Sequence, residues 1–252
     1  MKILNLYAGI GGNRKLWNDV GVNIEVTAVE INPDIVKIYK SFFPEDRVVT
    51  GDAHDFLLNH FKEFDFIWSS PPCPTHSRIN NLNYIKEEQG QEPKYPDMRL
   101  YQEIILLHHW FKGKWVVENV VGYYEPLIKP FRRDSHYFWS NFHIGNSADV
   151  KRFIREHICD GIPNHGFNIS GIPSSFKEQI LNNAVKPETG LYILKCAIKT
   201  KQTTIDGGTN FTKSSADDFP LQESLISIKK ESADSPNSPH DSLKAKEEAN
   251  FS

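Results

Sequence analysis

Cys73 and Glu118 are the residues whose types and setting point first to chemistry. Cys73 stands in the run Ser69-Ser70-Pro71-Pro72-Cys73-Pro74, and Glu118 opens the run Glu118-Asn119-Val120, 45 residues further on. Each follows an apolar stretch that reads as a strand. A thiolate is a nucleophile that can add to carbon-6 of a cytosine ring. A carboxyl group can hold and protonate nitrogen-3 of the same ring. Used together, the two make carbon-5 nucleophilic. The two prolines before Cys73 fix the backbone and present the thiol rigidly.

A second set of residues suits a ligand that could supply a group to such a carbon. Asn5-Leu6-Tyr7-Ala8-Gly9-Ile10-Gly11-Gly12 reads as a strand running into a Gly-rich turn, where a ligand can approach the backbone closely. Glu30, 18 residues after Gly12, sits where an acidic residue binds ribose hydroxyls. The glycines at 9, 11 and 12 do not make the dinucleotide pattern Gly-x-Gly-x-x-Gly, which disfavours a pyrophosphate grip. Asp52, after Gly51, offers a carboxylate suited to an exocyclic amine such as that of adenine. Taken alone, Glu30 or Asp52 reads more often as a solvated strand-end carboxylate or a helix cap. The order of the pieces is what favours a ligand site.

These residues need elements to position them. Strand character runs over 2–8, 25–31, 47–51, 64–70 and 114–119. Helical character runs over 13–20, 33–42, 53–61 and 97–111, the last with an apolar stripe of Leu100, Ile104, Ile105, Leu107 and His108. Pro33 is well placed in a first helical turn. Strands separated by helices predict right-handed βαβ crossovers and an α/β, doubly wound, mostly parallel sheet. Ligands of such sheets bind beyond the carboxyl ends of the strands, where Gly9 to Gly12, Glu30, Asp52, Cys73 and Glu118 all fall. Residues 80–96 read as a long polar loop, 136–144 as an aromatic strand, and 178–183 and 188–199 as helices.

The ordered elements Leu6-Tyr7-Ala8-Gly9-Ile10-Gly11-Gly12, Val29-Glu30-Ile31-Asn32-Pro33, Gly51-Asp52, Pro71-Pro72-Cys73 and Glu118-Asn119-Val120 resemble the DNA (cytosine-5)-methyltransferase family, over about residues 2–197. Asn182-Asn183-Ala184-Val185-Lys186-Pro187 is similar to the family's late motif, which returns to the donor pocket. The resemblance implies a Rossmann-like fold with a small C-terminal extension and S-adenosyl-L-methionine as donor. Its donor pocket would comprise Tyr7, Ala8, Gly9, Ile10, Gly11, Gly12, Glu30, Ile31, Asp52, Pro72, Asn183 and Val185. It further implies that Cys73 attacks carbon-6 of a cytosine flipped out of duplex DNA, that Glu118 holds nitrogen-3, and that Asn119 orients the strand end. Ser77, Arg78, Arg132, Arg133 and His136 are the implied nucleic-acid contacts. Pro74 stands where the family has Gln, and the family's Gln-x-Arg-x-Arg element has no clear counterpart around Arg132 and Arg133.

The expected organisation is a catalytic core over 1–145, a reduced target-recognition region over 146–173, helices returning to the core over 174–200, and a disordered tail over 201–252. The tail carries 6 basic and 9 acidic residues and nine serines, a composition unable to build a core. The remaining 200 residues are charge-neutral, so phosphate contacts must come from local patches around Lys129 or Lys151 rather than from bulk charge. The three cysteines are widely spaced and suggest neither a disulfide framework nor zinc. His157, Cys159 and His165 lack an evident fourth ligand, so no metal is expected. No membrane span or signal peptide is expected. A monomer in the cytoplasm, or in the nucleus of a eukaryote, is the matching expectation. Competing readings are a tRNA cytosine methyltransferase, suggested by the thin recognition region, a non-enzymatic homologue with decayed chemistry, and a distant nicotinamide dehydrogenase.

Overall fold

The computed structural model describes residues 1–78, 94–133, 135–145, 166–168, 177, 180–181 and 183–199. The expectations for residues 80–93, for most of 146–173 and 178–183, for Lys151, His157, Cys159 and His165, and for the tail lie outside these. By its contacts the chain divides into units 1–212 and 213–252, and the second holds none of the described residues.

The described part is built on a seven-stranded sheet. In chain order its strands are β1 (Lys2–Leu6), β2 (Glu25–Glu30), β3 (Arg47–Thr50), β4 (Phe66–Ser69), β5 (Lys114–Val120), β6 (Phe131–Arg133) and β7 (His136–Ser140). The spatial order is β3-β2-β1-β4-β5-β7-β6. The first five are parallel, and β7 and β6 are added antiparallel. The order reverses between β1 and β4, which makes that gap the topological switch point where doubly wound sheets bind ligands.

Strand residues alternate between two cores, as the period of two requires. Leu4, Leu6, Ile67 and Val117 face one layer, with α2 (Ala53–His60) and α3 (Arg99–Trp110). Ile3, Val26, Phe66, Trp68 and Val116 face the other, against Trp17 and Ile193, Leu194 and Ala197 of α4 (Pro187–Lys199). α1 (Pro33–Phe42) packs Tyr39 on Ala28 and Ala8. Helix starts follow from local chemistry. The Asn32 side chain accepts from the amides of Asp34 and Ile35, with Pro33 in the first turn. The Asp52 side chain accepts from His54 and Asp55 at 2.8 and 3.2 Å. Each cap is worth about 1 kcal/mol.

The expected helix over 13–20 is replaced by tight turns and one 3-10 turn over Trp17–Val20. The cause is Asn13, whose side chain is buried and bonds to Asn5 on β1, donating from Nδ2 to Oδ1 at 2.8 Å. Gly21 in the left-handed region (φ 82°) then ends the turn. The short strand β6 was not expected, and β7 stops at Ser140, where the hydroxyl donates to the Phe142 carbonyl. The inward stripe of α3 includes Tyr101 and Glu103, while Ile105 is exposed.

Two glycines interlock α4 with the turn after β1. A Cβ at Gly12 would meet the Val185 carbonyl oxygen, and a Cβ at Gly190 would meet the Asn13 carbonyl. In a free helix, alanine beats glycine by about 1 kcal/mol. At position 190 the sign should reverse, because backbone cannot yield as a flexible side chain can. Gly190→Ala is expected to destabilise by about 1–3 kcal/mol, seen as a fall in Tm of roughly 2–4 °C per kcal/mol in thermal unfolding followed by circular dichroism. An alanine variant as stable as the parent would show that the packing here is loose.

Candidate active site

The site is assembled from the ends of β1, β2, β3, β4 and β5. Register places Ser69 of β4 opposite Val117 of β5. Ser70, the first residue beyond β4, therefore leaves the sheet beside Glu118, which β5 still pairs with Phe138 of β7. The Ser70 hydroxyl hydrogen-bonds the Glu118 carboxyl and accepts from the Trp68 indole at 2.9 Å. Beyond Ser70, the carbonyl of Pro71 accepts from Asn119 Nδ2 at 3.0 Å, and Asn119 Oδ1 accepts from the Val120 amide at 2.9 Å. Asn119 thus clamps the Pro71-Pro72-Cys73 segment onto β5. It acts on the loop, not on a reacting atom.

Cys73 is a free, half-buried thiol. Burial raises its pKa, and the nearby Glu118 carboxylate raises it further. Glu118 is itself buried, 6 % exposed. Burial pushes its pKa up, while His136 and Ser70 pull against that rise. His136 Nε2 lies 3.7 Å from Glu118 Oε1. The rim therefore holds a thiol and a carboxyl whose pKa values are both raised, burial being the largest cause for each, with an imidazole at the edge.

The loop after Cys73 is pinned at its base. The amides of His76 and Ser77 donate to the Cys73 carbonyl at 2.9 and 3.0 Å. His76 is buried, with Nδ1 2.7 Å from the Tyr124 hydroxyl and Nε2 3.1 Å from the Asp97 carbonyl, and burial lowers its pKa. Ser77 bridges to Gly122, and Arg78 Nε donates to the Gly122 carbonyl at 2.8 Å. Sequence reasoning missed His76 and Tyr124.

On the other side of the switch point, Glu30 ties three strand ends together. Its carboxylate accepts from the amides of Gly9 and Asn32 at 3.0 and 2.9 Å, and its main-chain carbonyl accepts from the Gly51 amide at 3.1 Å. Each carboxylate oxygen keeps a further lone pair. Ile31, the next residue, is 65 % exposed. Gly9 has a positive φ of 53°, and a Cβ there would meet nothing within 4 Å; the same space is open at Gly51. Open space at Gly9 and Gly51 beside the Glu30 carboxylate and the exposed Ile31 side chain could serve a nucleoside-bearing ligand, with a carboxylate for hydroxyls and an aliphatic surface for a flat ring.

The other glycines have different duties. A Cβ at Gly11 would strike the rings of Phe43 and Tyr39, and Gly12 is closed off by Val185. The side chains of Ala8 and Ile10 enter the cores, leaving only their backbone for the rim. Asp52 caps α2 with Oδ1, and its Oδ2 lies 3.5 Å from Arg99. Pro72 and Asn183 are exposed, and Val185 is partly buried. Tyr7 is the one non-glycine residue with positive φ (54°) among the described residues, and its hydroxyl donates to Glu103 at 2.6 Å.

The five candidate nucleic-acid residues have different surroundings. His136 belongs to the Glu118 cluster. Arg133, paired with it across the hairpin, stacks over the Tyr192 ring at 4.6 Å. Arg132 is exposed, and strand alternation puts it on the opposite face of β6. Ser77 and Arg78 are held at Gly122. Among the described residues no cluster could hold a metal ion, and no helix is long and apolar enough to cross a membrane.

Comparison with known proteins bears directly on this rim. A tRNA (cytosine(38)-C(5))-methyltransferase of Spodoptera frugiperda is 38 % identical over 131 residues, which are 51 % of this chain and 38 % of the relative. The Homo sapiens protein of the same name is 29 % identical over 82 residues, 31 % of this chain and 21 % of its own length. A type II methyltransferase of Herpetosiphon aurantiacus is 27 % identical over 126 residues, 50 % of this chain and 27 % of the relative. The matched part thus spans well under half of each relative. Residues 1–126, from β1 through β5 and including the Cys73 and Glu118 rim, match the family model described as C-5 cytosine-specific DNA methylase. By that match over half its length, the chain belongs to the C-5 cytosine-specific DNA methylase family.

Proposed function

We propose that this protein methylates carbon-5 of a cytosine in DNA, with S-adenosyl-L-methionine as donor and Cys73 as a transient covalent nucleophile. The observation that carries the reading is the pairing of the half-buried Cys73 thiol with the buried Glu118 carboxyl at the ends of two adjacent parallel strands. Family membership supports it.

The donor would lie in the hollow at Gly9, with Glu30 for the ribose, Ile31 against the adenine, and Asp52 near its amine. When bound, it supplies an electrophilic methyl group. The rest is the work of this chain on a cytosine swung out of its stack. The Glu118 acid donates its proton to nitrogen-3. The Cys73 thiol loses its proton to solvent, the thiolate forms a bond to carbon-6, and the electron pair of the 5,6 double bond becomes available at carbon-5. Once carbon-5 carries the methyl group, a solvent base takes the carbon-5 proton, the carbon-6–sulfur bond breaks to release the Cys73 thiolate, and nitrogen-3 returns its proton to Glu118 as the ring regains its aromaticity.

The electrostatics of the rim fit this sequence. A thiol beside a carboxylate resists ionisation, because two anions would then share a site of low polarity. When Glu118 holds the proton, that obstacle is gone and the Cys73 thiolate is easier to form. The acid needed at nitrogen-3 and the thiolate needed at carbon-6 therefore favour each other. Asn119 contributes by holding the Pro71 carbonyl, and through it the sulfur, at this distance from β5.

A second reading takes tRNA as the nucleic acid. What favours it is the similarity to tRNA methyltransferases, at 38 % and 29 % identity, against 27 % for the bacterial type II enzyme.

Two measurements test these assignments. Glu118→Gln removes the negative neighbour of Cys73, so its thiol pKa should fall toward, but not to, the ordinary cysteine range, because burial remains. The Cys73 alkylation rate, followed against pH by peptide mass spectrometry, should shift to lower pH in the variant. An unmoved profile would separate the two groups electrostatically. With labelled donor, duplex DNA containing 5-fluorocytosine should trap a covalent complex, since fluorine blocks the final proton loss. Cys73→Ser should abolish the trap, and Glu118→Gln should slow methylation of ordinary duplex by about 10²–10⁴-fold. Methylation of tRNA but not of duplex DNA under the same conditions would transfer the assignment to the second reading.

A further inference from the structure

Beneath the rim lies a carboxylate that the proposed chemistry does not use. Glu103 is on the inward face of α3, among Leu100, Ile104 and Leu107, and is fully buried. Three side chains from three other segments converge on it. Its Oε1 accepts from the Tyr7 hydroxyl at 2.6 Å and lies 3.0 Å from His54 Nδ1. Its Oε2 accepts from the Ser69 hydroxyl at 2.5 Å. Tyr7 leads into the Gly9 turn. Ser69 ends β4, two residues before the Pro71-Pro72-Cys73 segment begins. His54 follows the Asp52 cap by two residues.

A carboxylate at this depth is a poor stabiliser. Desolvating it costs several kcal/mol, and apolar packing in its place is often neutral or better. What it supplies is direction. Tyr7 is the clearest case, because its left-handed backbone is costly for a residue bearing a Cβ and its hydroxyl is tied to Glu103. That backbone turn aims the Gly9 amide at Glu30.

We propose that Glu103 is a positioning residue, holding Tyr7, Ser69 and His54, and through them the donor turn, the root of the Cys73 segment and the Asp52 cap, in the one arrangement that binds donor. The inference rests on the donor reading given under the proposed function. Gln at this position would keep the shape but turn an NH₂ toward hydroxyls or imidazole that now donate.

His54 makes the proposal testable by pH. The groups facing it are Glu103 and Arg99 from α3, Asp52 from the cap of its own helix, and the Tyr7 hydroxyl that shares Glu103 Oε1. The Glu103 hydrogen bond raises its pKa above the ordinary histidine value. The imidazolium contact is thus complete below the ordinary histidine pKa, and is lost as pH rises through the raised one. Donor affinity should follow it in the same direction.

Binding of S-adenosyl-L-methionine to the full-length protein, without nucleic acid, can be measured by calorimetry from about pH 6 to about pH 9. The parent should lose about tenfold in affinity across the range. His54→Asn, a milder change at a partly exposed position, should start about tenfold weaker at the acidic end and show a flatter profile. Its comparison with the parent also removes any titration of the donor itself. Glu103→Gln should bind more weakly at every pH while thermal unfolding confirms a folded chain; if it does not fold, the His54→Asn profile decides. Parent and variant profiles that superimpose would overturn the role of Glu103. A parent that binds no donor at any pH would instead overturn the donor reading beneath it.

Discussion

Register between β4 and β5 sets the distance between sulfur and carboxyl. With Ser69 opposite Val117, the chain beyond β4 departs beside Glu118. Successive residues of β5 point to opposite faces. Glu118 therefore turns toward Ser70 and Cys73, while Asn119 reaches the Pro71 carbonyl from the other side. Proline has no amide to donate, so its carbonyl is the backbone handle available there, and Asn119 takes it. A slip of one residue would exchange the two side chains and undo both functions together. The antiparallel partner β7 limits such a slip, because Glu118 and Asn119 pair with the aromatic residues Phe138 and Tyr137.

That geometry imposes a charge constraint. Both Cys73 and Glu118 are held toward their neutral forms, first by burial and, for Cys73, then by the other's charge. A rim that kept both groups ionised would need a strong cation close by. His136 Nε2 lies 3.7 Å from Glu118, and Arg133 is engaged with Tyr192. Burial thus moves Glu118 in the direction that the proposed proton donor to nitrogen-3 would need.

Much of this rim was legible in the sequence because apolar runs mark where strands end, and ligands of a doubly wound sheet sit just beyond those ends. Cys73, Glu118, Glu30 and Asp52 all fall where that logic put them. The glycines were less legible. Spacing reports that space is needed at 9, 11 and 12, not what fills it. At Gly11 it is filled by Phe43 and Tyr39, at Gly12 by Val185, and Gly9 alone of the three faces open space. The helix expected over 13–20 failed for a tertiary reason, the Asn13 to Asn5 pairing, which local propensity cannot see. Glu103 had a readable signal, a carboxylate inside the apolar stripe of α3, but its three partners come from segments remote in the chain.

The turn after β1 also depends on the far end of the described chain. Gly12 receives the Val185 carbonyl, and Gly190 of α4 receives Asn13. Each side of this contact has given up a side chain to the backbone of the other. Such a fit cannot relax by rotamer change, so the path of the backbone from Gly9 to Asn13 is set by α4 as much as by β1. The burial of Ile193, Leu194 and Ala197 against Trp17, Trp68 and Phe138 secures α4 in turn. α4 therefore helps to fix the backbone that leads from β1 to Asn13, although it lies outside the stretch that matches the family model. A chain cut after β5 would keep Cys73, Glu118 and Glu30, yet lose the contact that fixes the turn between them.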